Sequence, residues 1–250
     1  VRIATWNVNS IGARLPRLLP WLEETSPDVV ALQETKCADG AFPHLPLRAL
    51  GYDVAHAGDG RWNGVAVLSR VGLEDVSIVL DGHPEPRLAS AQCGPLHVTS
   101  VYVPNGRALS DPHYAYKLEW FAALRRRLDG FDPAQPLAVM GDFNVARTDA
   151  DVWDPSAFVG STHVTPAERT AMDGLEAWGL VDVAARPGKG DRPYTYFDYR
   201  AGMFHKDQGM RIDYVLATPA VVVRDAYVDR EARKGKGPSD HCPVVVDVDL

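Results

Sequence analysis

Short apolar runs recur along this chain, and each breaks off in a cluster of amides, acids or a histidine. Val29-Val30-Ala31-Leu32 closes on Gln33 and Glu34, and Leu137-Ala138-Val139-Met140 closes on Gly141-Asp142-Phe143-Asn144. Runs of this length bounded by turn residues read as buried β-strands. One such ending by itself is an ordinary Asx-rich turn. Six of them, at Asn7/Asn9, Gln33/Glu34, Tyr102/Asn105, Asp142/Asn144, Asp213 and Ser239-Asp240-His241, suggest a single site. Ligands collect at strand ends in α/β sheets, so the pattern asks for a fold that gathers those ends.

The order of elements supports that class. Arg2 to Thr5 reads as a strand, and Arg14 to Glu24 as an amphipathic helix with Leu15, Leu18, Leu19 and Leu22 at helical spacing. With the strand over 29–32 this opening is strand–helix–strand, the signature of an α/β fold. Tyr52 to Ala55, Gly64 to Ser69, Leu73 to Leu80 and Leu88 to Cys93 are short runs punctuated by Gly, Asp and Pro, which predicts an antiparallel run with hairpins. A strand over 97–103 follows, then a helix over 114–128 with Leu118, Phe121, Leu124 and Leu128 on one face. Thr165-Pro166-Ala167-Glu168 has the form of a capping box, so a helix to about Trp178 is predicted. Arg211 to Leu216 and Val244 to Val248 read as the last strands. No linker or short-period repeat divides the 250 residues, so one domain over 1–250 is expected.

Composition excludes more than it selects. A hydrophobic fraction of 46% and a charged fraction of 24% are those of a globular protein, and no apolar run approaches the roughly 18 residues that span a bilayer. Membrane partners are therefore not expected. Cys37, Cys93 and Cys242 lack metal or disulfide spacing, which predicts a reducing, cytoplasmic setting. The formal charge of −7 leans away from nucleic acid, although an enzyme needs only a basic rim around an acidic centre.

The strand-end groups favour one chemistry. Carboxylates and carboxamides are hard oxygen donors suited to Mg²⁺ or Mn²⁺. A histidine beside an aspartate can hold an oxygen or carry a proton. HExxH, P-loop, GxGxxG and nucleophile-elbow patterns are all missing. Hydrolysis of a phosphate ester by metal-assisted attack of water fits best.

Taken together, Trp6-Asn7-Val8-Asn9, Leu32-Gln33-Glu34-Thr35-Lys36, Tyr102-Val103-Pro104-Asn105, Gly141-Asp142-Phe143-Asn144, Arg211-Ile212-Asp213 and Ser239-Asp240-His241-Cys242-Pro243 resemble the exonuclease III family of apurinic/apyrimidinic endonucleases. These belong to the endonuclease/exonuclease/phosphatase superfamily. The resemblance spans the chain, and Gly60 to Ala66 and Gly160 to Thr165 look like the bacterial branch. It implies a four-layer α/β sandwich, with two mixed sheets face to face and helices outside. It also implies a monomeric, Mg²⁺-dependent repair nuclease acting on double-stranded DNA at abasic sites and 3′ ends, with Mn²⁺ able to substitute.

By the same resemblance Glu34 is the principal metal ligand, with Asp240 and Asn7 close by and a possible second ion near Asp142, Asn144 and His241. Asp142 would act on the attacking water, the leaving 3′-oxygen, or both. Asn144 and His241 would hold the scissile phosphate, Asp213 would orient His241, and Tyr102 and Asn105 would bond phosphate oxygens. Asn9 departs from relatives that carry a carboxylate there, which removes a charge from the centre. Arg107 would enter the duplex, and Tyr196 and Met210, with Phe197 as ordinary core, would border a pocket for the extruded sugar. Arg186, Lys189, Arg192, Arg230, Arg233, Lys234 and Lys236 offer a basic rim for phosphates. Cys242 is expected to be a buried structural thiol. Two alternatives stay open: a phosphodiesterase of the same superfamily acting on RNA or another phosphate ester, and a non-catalytic DNA-binding relative.

Overall fold

Parallel pairing of β1 (Arg2–Asn7) with β2 (Val29–Gln33) needs a crossover, and α1 (Ile11–Thr25) supplies it. The chain builds this unit a second time, with β7 (Leu96–Tyr102) and β8 (Leu137–Asp142) parallel and α3 (Pro112–Leu128) between them. Antiparallel strands then extend each unit. β2 pairs with β4 (Val65–Ser69) and β4 with β3 (Asp53–Ala57); β8 pairs with β10 (Asp213–Ala217) and β10 with β9 (Val181–Asp182). On the opposite flanks, β12 (Val244–Asp249) and β11 (Val222–Val228) continue past β1, while β6 (Leu88–Cys93) and β5 (Glu74–Ser77) continue past β7. The outcome is two six-stranded mixed sheets, ordered β11-β12-β1-β2-β4-β3 and β5-β6-β7-β8-β10-β9. This is a computed structural model, and it describes residues 1–250.

The sheets pack face to face. Ile3, Val29, Ala31 and Val67 of the first meet Ala89, Val98, Met140 and Val215 of the second in one buried cluster. Outside the first sheet, α1 and α2 (His44–Ala49) lay Leu18, Leu22 and Leu47 on Ala4, Val30 and Leu68. Outside the second, α3 and α4 (Pro166–Trp178) lay Trp120, Phe121, Leu124 and Leu175 on Val139 and Leu216. That is the expected four-layer sandwich. The Thr165–Glu168 capping box forms as its spacing required. No helix is long and apolar enough to cross a membrane.

Four local expectations change. The antiparallel run over 52–93 is divided, because β3 and β4 lie in one sheet and β5 and β6 in the other. Both sheets face one shared core, so their apolar runs look alike in sequence. The strand expected over 73–80 shrinks to an edge strand, with Val76, Ile78 and Val79 exposed. β11 is an additional strand before the last one; Val221-Val222-Val223 leads into it, but its first half is largely exposed and the polar pair Arg224-Asp225 interrupts the run. On α3, Leu118 is only half-buried while Lys117 lies fully inside.

Candidate active site

β8 ends at Asp142, and the register of its neighbours decides what surrounds that carboxylate. Tyr102 is its partner across the parallel pair and Asp213 across the antiparallel one. Directly opposed residues share a sheet face, so phenol, carboxylate and carboxylate form one row. The approach of β7 depends on Gly141, where an added Cβ would sit 2.0 Å from the Val101 carbonyl oxygen. Beyond Asp142 the backbone leaves the extended region, and Asn144 has a φ of 51°. Its N–H donates to Asp142 Oδ1 at 2.9 Å and its Nδ2 donates to the Val103 carbonyl at 2.9 Å. Turn and site are therefore the same object: an Asx turn, rather than strand alternation, places the Asn144 carboxamide.

The first sheet repeats the device. Glu34 follows β2 with a φ of 51°, a left-handed conformation that a glutamate adopts only where its surroundings enforce it. Asn7, fully buried at the end of β1, joins the two sheets by donating from Nδ2 to Glu34 Oε1 at 2.8 Å and to Asp142 Oδ2 at 2.9 Å. Beneath it, Gln33 Nε2 donates to Ser100 Oγ at 3.1 Å, and Ser100 Oγ donates to the Leu32 carbonyl at 3.0 Å.

His241 reaches this centre from the loop before β12. The Ser239 hydroxyl donates to the Asn7 carbonyl at 2.7 Å and accepts from the His241 N–H at 3.2 Å. Trp6 Nε1 donates to the His241 carbonyl at 3.2 Å. The imidazole sets Nδ1 2.8 Å from Asp213 Oδ2 and Nε2 3.8 Å from Asp142 Oδ2. The Tyr196 ring packs edge-on against it, with centroids 5.0 Å apart.

Burial and crowding set the charges. Burial, then the facing charge of Asp213, pushes the Asp142 carboxyl up to about 8, with His241 opposing and Glu34 adding. Burial alone would lower His241; the charge and hydrogen bond of Asp213, with Asp142, override it and hold the imidazole at about 10. Burial also works against ionised Glu34. Lys36, the Asn7 amide and His241 nevertheless bring it below its ordinary value. Burial, reinforced by Glu34 and Asp142, raises the Tyr102 phenol well above its usual range.

Glu34, Asp142 and His241 each offer a ligand atom, all within 4.8 Å of one another. Asp213 Oδ1 is buried without a hydrogen-bond partner. Acids crowded this closely, with one carboxyl raised by its neighbours, suit a divalent cation, and the donor set is that of a hard ion. Asp240 stands beside the group, where its Oδ1 accepts from Asn9 Nδ2 at 3.0 Å. Asn7 turns Nδ2 to the acids and gives Oδ1 to the Asn9 N–H at 3.0 Å. Asn9 also accepts from Lys36 Nζ at 2.5 Å, so this amide accepts from an ammonium and donates to a carboxylate. A carboxylate at position 9 could not do both.

On the other side of Asp142, Asn105 Nδ2 donates to Asn144 Oδ1 at 3.3 Å. Tyr102, Asn105 and the exposed Arg107 line a hollow of about 460 Å³ with Trp62, Arg87 and His113. Arg107 stands away from the acids, 3.8 Å from Asp111. Met210 is packed in a small cluster with Ala146, Val152 and Ile212. Phe197 is core, as expected, and Cys242 is a buried thiol pushed up to about 12 by burial. The proposed basic rim divides. Lys234 is exposed beside Glu231, and Arg186 is exposed and paired with Asp225. Arg230 and Arg233, in contrast, are buried and stacked on Phe197 and Phe204. Arg233 donates to the Phe197 and Asp240 carbonyls, which ties down the loop that carries His241.

Three residues without an assigned role in the sequence reading lie in or beside this centre. Lys36 Nζ lies 2.8 Å from Glu34 Oε2. His163, at a φ of 80°, sets Nε2 3.1 Å from Asn144 Oδ1 and 3.2 Å from Asn105 Nδ2. Lys117 lies behind both amides, and its signal was legible: positions 117, 120, 121, 124 and 128 form the buried stripe of α3, with a lysine in an apolar series.

Comparison with known proteins gives the chain its family. The endonuclease/exonuclease/phosphatase family matches residues 4–241. Exodeoxyribonuclease III of Haemophilus influenzae is 29% identical, over 98% of each chain. An AP endonuclease from Archaeoglobus fulgidus superposes with a TM-score of 0.95 at 36% identity, over 100% of both chains. A 3′ phosphatase, NExo, from Neisseria bound to a product DNA hairpin superposes with a TM-score of 0.93 at 36% identity, covering 100% of this chain and 99% of that one.

Proposed function

Because this chain belongs to the endonuclease/exonuclease/phosphatase family, we propose that its strand-end centre hydrolyses phosphodiesters 5′ to abasic sites and phosphate esters at the 3′ ends of duplex DNA. The protein is a DNA repair nuclease. The observation that carries the finer reading is the convergence of Glu34, Asp142 and His241 beside the Asn105–Asn144 pair. Acids suit a cation and amides suit a phosphate, and both stand at one place.

The cation is Mg²⁺ in this reading, with Mn²⁺ as a substitute, and Glu34 would hold it with Asp240 and Asn7 alongside, which leaves His241 to the phosphate and Asp142 to the water. Bound there, it supplies neutralisation of phosphate charge and a more acidic water. The rest is work for the chain's own groups. Imidazolium at His241, with its proton fixed on Nδ1 by Asp213, presents Nε2–H to a phosphate oxygen. Asn144, Asn105 and Tyr102 give further donors to the same anion, which holds phosphorus in line for displacement. Burial and the facing Asp213 raise the Asp142 carboxyl while a bound cation would lower it again, and a carboxyl so balanced can take a proton from water or give one to the leaving 3′-oxygen. Tyr196 and Met210 would border the extruded sugar, with Arg107 on the duplex side. A monomer of one catalytic domain suffices for all of this.

Purified protein incubated with abasic, 3′-phosphate and blunt duplexes in one Mg²⁺ buffer tests the proposal. Cleavage of the first two, abolished by chelator and restored by Mg²⁺ or Mn²⁺, is expected. Chelator-resistant cleavage, or none with either ion, would remove it.

A further inference from the structure

The ion pair of Lys117 and Glu168 is completely buried, with Nζ 2.5 Å from Oε1 and both side chains at 0% exposure. An ammonium carries three N–H donors and no acceptor, so its remaining partners are informative. Lys117 Nζ donates to the Asn144 carbonyl at 2.6 Å and to the Asn105 carbonyl at 3.3 Å, with Thr162 Oγ1 at 3.5 Å. Those carbonyls belong to the two residues whose carboxamides meet beside Asp142. One loop follows β7 and the other follows β8, and Lys117 is the point where both are tied.

The loops are drawn tightly around it. A Cβ at Gly106 would lie 2.7 Å from Thr162 Oγ1 and 3.2 Å from Lys117 Cδ, and Gly106 itself has a φ of 90°. Glu168 arrives at the same amides by a second route. Its Oε1 accepts from Thr162 Oγ1 at 2.6 Å and from the His163 N–H at 2.9 Å, and the His163 imidazole touches both carboxamides. The ammonium therefore donates to both loop carbonyls directly, while the carboxylate, an acceptor only, reaches the same loops through Thr162 and His163.

A buried ion pair is a poor device for stability alone, since apolar pairs of similar volume commonly do as well or better. The surrounding α3–α4 contact is built from such side chains, Trp120, Leu124, Met172 and Leu175 among them. What an apolar pair cannot do is donate to two carbonyls at once. We infer that Lys117 is a positioning residue for hydrolysis: with Glu168 as its counter-charge, it fixes the spacing of the Asn105 and Asn144 carboxamides that receive the phosphate. The inference rests on the proposal that these amides hold the scissile phosphate.

Lys117→Met alone strands a buried carboxylate and can fail to fold, so Lys117→Met/Glu168→Gln carries the test. Parent and double variant are compared on the DNA substrate that the parent cleaves, with inorganic phosphate as a competing probe. The expected result is a cooperative melt near that of the parent. KM and the inhibition constant for phosphate should rise together by about tenfold, the scale of a lost charge-assisted hydrogen bond, with kcat changed less. Lys117→Arg, which keeps a cation, should recover part of the affinity. A folded double variant with parent KM and parent phosphate inhibition overturns the inference, as does a double variant that cannot fold, because the pair is then purely structural. A parent that cleaves no DNA with any divalent ion overturns instead the functional reading beneath it.

Discussion

Asp142 and Asp213 stand directly opposite each other on the antiparallel strands β8 and β10, and His241 holds only Asp213 at hydrogen-bond distance. Facing like charges are costly in a sheet, and this pair is also buried. The fold resolves the conflict with one imidazole: 2.8 Å from Asp213, it stays protonated, and 3.8 Å from Asp142 it leaves that carboxyl as the group that can exchange a proton.

Asp213→Asn should therefore act through His241. Losing the charge that holds the imidazole at about 10 lets burial lower it, so nitrogen NMR of His241 should show a neutral ring near pH 7. Turnover should fall by about two orders of magnitude or more, the range of a lost general acid–base partner. An imidazole that stays charged in this variant would place its control elsewhere.

Asp142→Asn keeps the shape of the centre and removes the proton carrier. The expected loss is about 10²–10⁴ in kcat, with DNA affinity kept within a few-fold. Single-turnover kinetics beside a binding titration separates the two quantities, and near-parent turnover would exclude Asp142 from the chemistry.

Mg²⁺ should stabilise the fold by mass action. At a concentration about 100 times its dissociation constant the gain is about 2.7 kcal/mol, visible as a rise in melting temperature that chelator reverses. Glu34→Gln should remove most of that rise while the metal-free protein melts much as before.

Acid should destabilise the protein through buried histidines other than His241. Burial is the main cause that lowers His56, His97 and His163 to about 4. Between about pH 6.5 and 4 the unfolded chain binds protons that the folded chain refuses. The stability contributed by these three histidines is thus full above pH 6.5 and falls as pH drops through that window, by about 1.4 kcal/mol per pH unit for each histidine at the steepest. Urea midpoints measured across this range check the sign; His97→Phe should flatten the slope.

Basic residues should separate into two kinds. Arg233→Met should lower the melting temperature and loosen the His241 loop, because a buried guanidinium loses its carbonyl acceptors. Lys189→Ala with Lys234→Ala should leave the melt unchanged and reduce the salt dependence of DNA binding by about one counterion each. A changed salt slope in Arg233→Met with an unchanged melt would reverse this division.

Much of the architecture was legible because it rests on local chemistry. Apolar runs closing on Asn7, Glu34 and Asp142 mark strand ends whatever the fold around them, whereas Asp213 opens its strand, and Thr165 to Glu168 fixes a helix start by its own hydrogen bonds. The donor inventory, and with it the class of reaction, was therefore contained in the sequence. Partnership was not. Which carboxylate faces Asp142 is decided by the register of β8 and β10, and residues 71 positions apart in the chain carry no local sign of it. Arg230 and Arg233 read as surface cations until Phe197 and Phe204 fold over them, and the place of Lys117 on the apolar stripe of its helix does not say which two loops close on its ammonium. Sequence determined which groups this protein brings to the strand ends. Tertiary structure decided which are charged, which are paired and which are left free to react, because those properties depend on burial and neighbours rather than on the residue alone.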